Sequence, residues 1–93
     1  MRLDLFLKTS RLVTRRTLAQ ELCDAGLVEI NGMTAKSGKE VRVGDLIRIN
    51  RRDRSTEVKV ALVPSTKQVS KAAAGDLYQL IEDKIIPAGD VSA

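Results

Sequence analysis

The sequence predicts an α+β fold: two N-terminal helices packed on a small antiparallel sheet, with a short C-terminal helix attached. Three observations carry this. Apolar residues recur twice at helical spacing before residue 26; Gly26 is followed at once by a Val-Glu-Ile run and an Asn-Gly pair; and residues 41–63 alternate with a period of two.

Taken in order, Leu3, Phe6 and Leu7 fall at i, i+3 and i+4 and predict a first helix ending near Thr9–Ser10, with Asp4 and Lys8 spaced to pair on another face. Arg11-Leu12-Val13 connects it to Thr14, read as the N-cap of the second helix. There Leu18, Leu22 and Ala25, flanked by Ala19, form the expected apolar stripe, and Arg16 and Gln20 share a neighbouring solvent face. Gly26 closes that helix, and Asn31-Gly32 reverses the chain between two strands, leaving Lys36 on the return strand or just beyond it. The alternation of Val41 and Val43, then of Ile47 and Ile49, predicts two short strands around a Gly44-Asp45 turn. Arg51 to Arg54 is a loop before a strand from Glu57 to Val63, which Pro64 ends. Residues 65–74 read as a linker or helix approach, Asp76 to about Lys84 as the C-terminal helix from the spacing of Leu77, Leu80 and Ile81, and Ile85 to Ala93 as a frayed end. The expected core is Leu3, Phe6, Leu7, Leu18, Leu22, Val28, Ile30, Val41, Val43 and Ile47.

A chain of 93 residues builds one core and has room for one task. Its net charge of +4 and pI near 9.6 point to a polyanionic partner. Residues 1–54 hold 12 Lys and Arg against 7 Asp and Glu, a net of +5, whereas residues 55–93 hold 4 against 5, so the partner belongs to the first half. Within it Arg15 and Arg16 sit at the start of a helix, against the dipole, at a cost of about 0.3–1 kcal/mol each. Stability alone would place acids there; the alternatives are ligand contact or tolerated solvated cations.

With no histidine and a single cysteine, Cys23, there is no basis for a disulfide, a zinc site or imidazole chemistry, and the carboxylates are scattered singly among cations. Cys23 reads as a partly buried helix thiol. No enzyme, metal or cofactor is expected. Asp4 and Lys8 interrupt any signal-peptide core, so a cytoplasmic protein is expected with no membrane partner. Phe6 and Tyr78 are the only aromatics, and Phe6 points to the core, so an aromatic stacking platform is excluded. The reading that remains is structured RNA, or DNA backbone, gripped through phosphates.

The segments RLDLFL, SRLVTRR, the helix ending in DAG, VEINGMTAK and VRVGDLIRI, in that order and spacing, resemble an S-four RNA-binding domain over residues 1 to about 50. That resemblance implies a face made of two helices and the hairpin. Among free-standing members the chain is similar to the RqcP family of ribosome-associated quality-control proteins, and more distantly to the fifteen-kilodalton heat-shock ribosome-associated protein. AAAGDLYQLIEDK is similar to the Tyr-containing helix ending the RqcP proteins. The resemblance implies binding to ribosomal RNA of the large ribosomal subunit and to peptidyl-tRNA, in support of an RqcH-type tailing factor that adds alanine to the stalled chain, with a monomer expected. The chain is expected to divide into an S-four-like RNA-binding domain over residues 1–63 and a linker, short C-terminal helix and frayed tail over 64–93.

The residues expected to contact RNA are Arg2, Arg11, Arg15, Arg16, Gln20 and Lys36. Lys8, Arg51, Arg52 and Arg54 are additional candidates, the loop cations being equally readable as solvated. Rival functions are a heat-shock-type factor that recycles subunits, an accessory subunit of an RNA-modifying enzyme, and a protein whose basic face meets an acidic protein.

Overall fold

A computed structural model of the chain describes residues 1–64 and 69–85. In chain order it contains α1 (Leu3–Thr9), α2 (Arg16–Asp24), β1 (Val28–Ile30), β2 (Met33–Thr34), β3 (Leu46–Asn50), β4 (Arg54–Val60), α3 (Lys71–Ala74) and β5 (Tyr78–Ile85). The strands form one sheet in the order β2-β1-β3-β4-β5, each described pair antiparallel. Two helices on a small antiparallel sheet is the predicted α+β architecture.

Leu3, Phe6 and Leu7 of α1 meet Val28, Ile30, Ile47, Ile49, Val58 and Val60 from one face of the sheet, all at most 5% exposed. The strand residues alternate because β pleating sends every second side chain to the same face. Of the expected core, Leu3, Phe6, Leu7, Val28, Ile30, Val41 and Ile47 are buried; Val13, Ala19, Cys23, Ala35, Ile49, Val58, Val60, Ala74 and Leu77 are buried as well and were not expected. At the β1–β2 turn Asn31 and Gly32 have φ of 54° and 84°, the left-handed pair that the expected hairpin requires. Asn31 Oδ1 accepts from the Leu46 N–H at 3.0 Å and its amide donates to Asp45, so this turn shapes the hairpin and docks it on β3. Gly26, φ 76°, follows α2 as expected.

Several expectations are corrected. The N-cap of α2 is Arg15, in extended conformation with no side-chain cap, and Thr14 lies one residue outside. The buried stripe of α2 is Ala19 and Cys23; Leu18 is 39% exposed and Leu22 only packs against the core's edge. Residues 41–43 form no strand: Val41 is buried and donates to the Met1 carbonyl, but Val43 is 65% exposed, and Arg42 and Asp45 close a turn around Gly44. Strand β4 correspondingly runs from Arg54 to Val60, so that Leu62, expected inside it, is 53% exposed.

The last correction is the largest. The short C-terminal helix expected from Asp76 to Lys84 is instead β5, paired with β4 along its whole length. Its Leu80 and Ile81 are about half exposed, so no apolar helical stripe is being buried. Pairing satisfies the backbone groups that β4 would otherwise present as an open edge. A bulge between Glu57 and Val58 offsets the register. The helix that does form near the C-terminus is the four-residue α3, capped by the Ser70 hydroxyl, which accepts from the Ala73 N–H at 3.1 Å. Ile85, expected as the first residue of a frayed end, is the last residue of β5 and pairs with Arg54; the rest of that end, residues 86–93, and part of the linker, residues 65–68, lie outside the described residues.

Candidate nucleic-acid interface

α1 opens with Leu3 and Asp4, whose backbone N–H groups have no helical partner and instead donate to the carbonyls of Lys39 (2.8 Å) and Ser37 (3.1 Å). A turn over residues 36–39, closed by the Lys39 N–H on the Lys36 carbonyl, is thereby clamped against the helix start. α2 crosses the same end of α1. Three separate pieces of chain meet there, and the Asp4 carboxylate sits at their centre with no solvent exposure.

A buried carboxylate must be fully paired. Asp4 Oδ1 accepts from the Leu5 N–H at 2.8 Å and from Arg2 Nε at 3.2 Å; Oδ2 accepts from Gln20 Nε2 at 2.9 Å and from Arg16 Nε at 3.2 Å. Burial pushes the Asp4 carboxyl up, but the hydrogen bonds from Gln20, Arg16 and Leu5, with the charge of Arg16, outweigh it and hold its pKa below the ordinary carboxylate value. The pairing of Asp4 with Lys8 expected from their spacing does not form; Asp4 turns inward and Lys8 outward.

Three of the six primary candidates, Arg2, Arg16 and Gln20, are therefore gathered around one acid. The arginine side chains remain 53% and 40% exposed. Arg15 and Lys36 are exposed and form no side-chain hydrogen bond or ion pair among the described residues; Arg15 is next to Arg16, and Lys36 is on the clamped turn. Arg16 is thus more than a cation placed against a helix dipole, because the Asp4 charge offsets the dipole's cost.

Arg11, at the far end of α1, takes φ 63°, and with exposed Lys8 it borders a separate open groove of about 540 Å³ that Val13, Thr14, Val69 and Ser70 also line. The loop cations divide. Arg51 is half-buried and donates to the Leu12 carbonyl at 2.7 Å, tying the β3–β4 loop to the α1–α2 connection, while its Nε is buried without a partner. Arg54 pairs with Asp83 at 3.2 Å, and Arg52 is exposed. Two of these three cations serve the fold's own contacts.

Residues missed from sequence are Asp4, the hub, and Lys39, carried on the clamped turn. The signal for Asp4 was present: it lies three residues before Leu7, on the side of α1 that faces inward. Cys23, expected to be partly buried, is buried outright, and burial first, then the nearby Asp4 and Asp24 charges, push its thiol up to about 11.

The S4 domain family profile matches residues 1–47, which spans α1, α2, the hairpin, the clamped turn and the start of β3. The chain belongs to the S4 domain family. Among its relatives, the RQC P-site tRNA stabilizing factor of Halalkalibacterium halodurans is 42% identical over 86 residues, covering 92% of this chain and 96% of that protein. The protein of the same name from Bacillus subtilis is 38% identical, covering 90% and 95%. A trimeric structure of Heat Shock Protein 15 from Vibrio cholerae superimposes with a TM-score of 0.77 at 27% identity, covering 87% of this chain and 81% of that one. The similarity to the stabilizing factors runs past the S4 match into the β4–β5 region.

No described helix is long and apolar enough to cross a membrane, and no described group of His, Cys, Asp or Glu could hold a metal ion.

Proposed function

We propose that this chain is a non-enzymatic RNA-binding protein of ribosome-associated quality control, which holds tRNA against ribosomal RNA on the large subunit while a stalled nascent chain is processed. The observation that carries this is the convergence of Arg2, Arg16 and Gln20 on Asp4, beside Arg15 and the Lys36–Lys39 turn. It is a compact cationic surface with donors for phosphates. Membership of the S4 family and likeness to proteins named as P-site tRNA stabilizing factors support the ribosomal setting.

In this reading the partners are large-subunit ribosomal RNA and peptidyl-tRNA, the protein acts in the cytoplasm as a monomer, and it assists an RqcH-type factor in alanine tailing. The structural likeness to Heat Shock Protein 15 supports a second reading, subunit recycling without tailing. Sedimenting a lysate of the native host on a sucrose gradient tests the first. The protein should travel with free large subunits that carry peptidyl-tRNA, and alanine tails on stalled chains should disappear when it is deleted. Sedimentation with the large subunit and unchanged tails would favour recycling; absence from ribosomal fractions would overturn both.

A further inference from the structure

The Asp4 cluster has a chemical asymmetry. A carboxylate accepts hydrogen bonds only, so the edge of each partner that faces Asp4 is the donating one. Both arginines turn Nε to it, and neither makes another side-chain hydrogen bond among the described residues, leaving the outer Nη edge of a half-exposed guanidinium. Gln20 turns its Nε2 to Asp4, which sends Oε1 the other way. That oxygen accepts nothing among the described residues, and Arg51 Nε is the one buried side-chain polar atom described as lacking a partner, so Gln20 Oε1 reaches solvent. The outer surface of the cluster therefore offers two guanidinium edges beside one fixed acceptor.

We propose that Asp4 is the positioning residue of a ribonucleotide subsite, in which Arg2 and Arg16 grip a backbone phosphate and Gln20 Oε1 accepts from the adjoining ribose 2′-hydroxyl. This deepens the RNA-binding reading and rests on it. A phosphate carries no donor for Gln20 Oε1, whereas the 2′-hydroxyl is a donor that RNA has and DNA lacks. With the amide orientation set by Asp4, the cluster discriminates the sugar as well as attracting the charge. Without Asp4 the glutamine amide could rotate and the arginines would lose their common anchor.

The sign of one substitution separates positioning from bulk charge. Asp4→Asn raises the net charge from +4 to +5, so simple attraction predicts tighter binding to any polyanion. Positioning predicts the reverse. The experiment measures affinity for an RNA hairpin and for the DNA hairpin of the same sequence, from low to physiological salt, with folding of each variant checked by circular dichroism at the assay temperature. Asp4→Asn should bind the RNA about tenfold more weakly, in the range expected for losing a charge-assisted contact, with a shallower salt slope. Gln20→Met keeps three of the four Asp4 donors and deletes the acceptor; it should lower RNA affinity while leaving DNA affinity near wild type, collapsing the RNA-to-DNA ratio. A merely structural Asp4 would shift the melt and leave slope and ratio in place. Tighter RNA binding by Asp4→Asn, or an unchanged ratio in Gln20→Met, overturns the subsite while the RNA-binding reading stands; a wild-type protein that binds neither hairpin nor purified large-subunit RNA overturns both.

Discussion

The two ends of the molecule carry ion pairs of the same length at different depths. Where α1 and α2 cross, Arg16 Nε lies 3.2 Å from an Asp4 carboxylate with no solvent exposure; at the β4–β5 end, Arg54 Nε lies 3.2 Å from Asp83, whose side chain is 35% exposed. Distance does not distinguish them. Water competes for Arg54 and Asp83 and screens their attraction, so that pair contributes well under a typical buried contact. Asp4 has no water to fall back on, and each donor removed leaves part of a buried charge unsatisfied. The helical end is therefore where the fold has committed its cations to one geometry, and the strand end is where charges decorate a surface.

The comparison breaks most visibly at Asp4. Asp4→Ala should cost about 3 kcal/mol, since the Gln20 amide and the Leu5 N–H lose their acceptor and two arginines lose their counter-charge; a urea midpoint near wild type would remove the cluster from the stability account. Acidification should produce part of the same loss. Asp4 has a lowered folded-state pKa, so its contribution is complete above the ordinary carboxylate value near 4 and is lost as pH falls through the lower folded-state value. The stability gap between wild type and Asp4→Asn should therefore be full at pH 7 and shrink progressively below about pH 4. A gap constant across that window would contradict the assignment.

A smaller effect sharpens the contrast between neighbours. Arg16→Ala should cost about 1–2 kcal/mol because Gln20, Arg2 and Leu5 still hold the carboxylate, whereas Arg15→Ala, exposed and unpaired, should stay within about 0.5 kcal/mol of wild type. Equal melting temperatures for the two would deny Arg16 its structural half. Smallest of all, Arg54→Ala should cost under about 1 kcal/mol, and that cost should fade in high salt; a salt-independent loss of several kcal/mol would mean the β4–β5 end is more enclosed than its exposure indicates.

The same two ends differ in how legible they were. The helical end was readable because its signals are local: three leucine-class residues at helical spacing, a glycine with positive φ, and an Asn-Gly turn all act within a few residues. What escaped there was rotational phase. Ala19 and Cys23, rather than Leu18, join the core, a choice that the assembled core makes and that the helix does not display alone. Asp4 was read as a partner for Lys8 for a related reason: its three side-chain partners lie 2 residues before it and 12 and 16 after it, and only the assembled fold joins them.

At the strand end the decisive interaction is long-range. Leu77, Leu80 and Ile81 have helical spacing, yet the open edge of β4 draws Tyr78–Ile85 into a strand. Edge pairing is invisible to a window of ten residues. The candidate site fared as its elements did. Arg2, Arg16 and Gln20, nominated from charge, spacing and resemblance, come together where α1 and α2 meet, while Arg51 in the β3–β4 loop and Arg54 at the start of β4 have structural partners that composition could not reveal.

The most direct test of the account is to titrate isotopically labelled protein with an RNA hairpin and follow its backbone amide signals by NMR. Perturbations should concentrate on residues 2–5, 15–20 and 36–39, leaving Tyr78–Ile85 at their free positions. Shifts centred on β4 and β5, with the α1–α2 crossing unmoved, would place the RNA on the opposite end of the molecule and contradict the account.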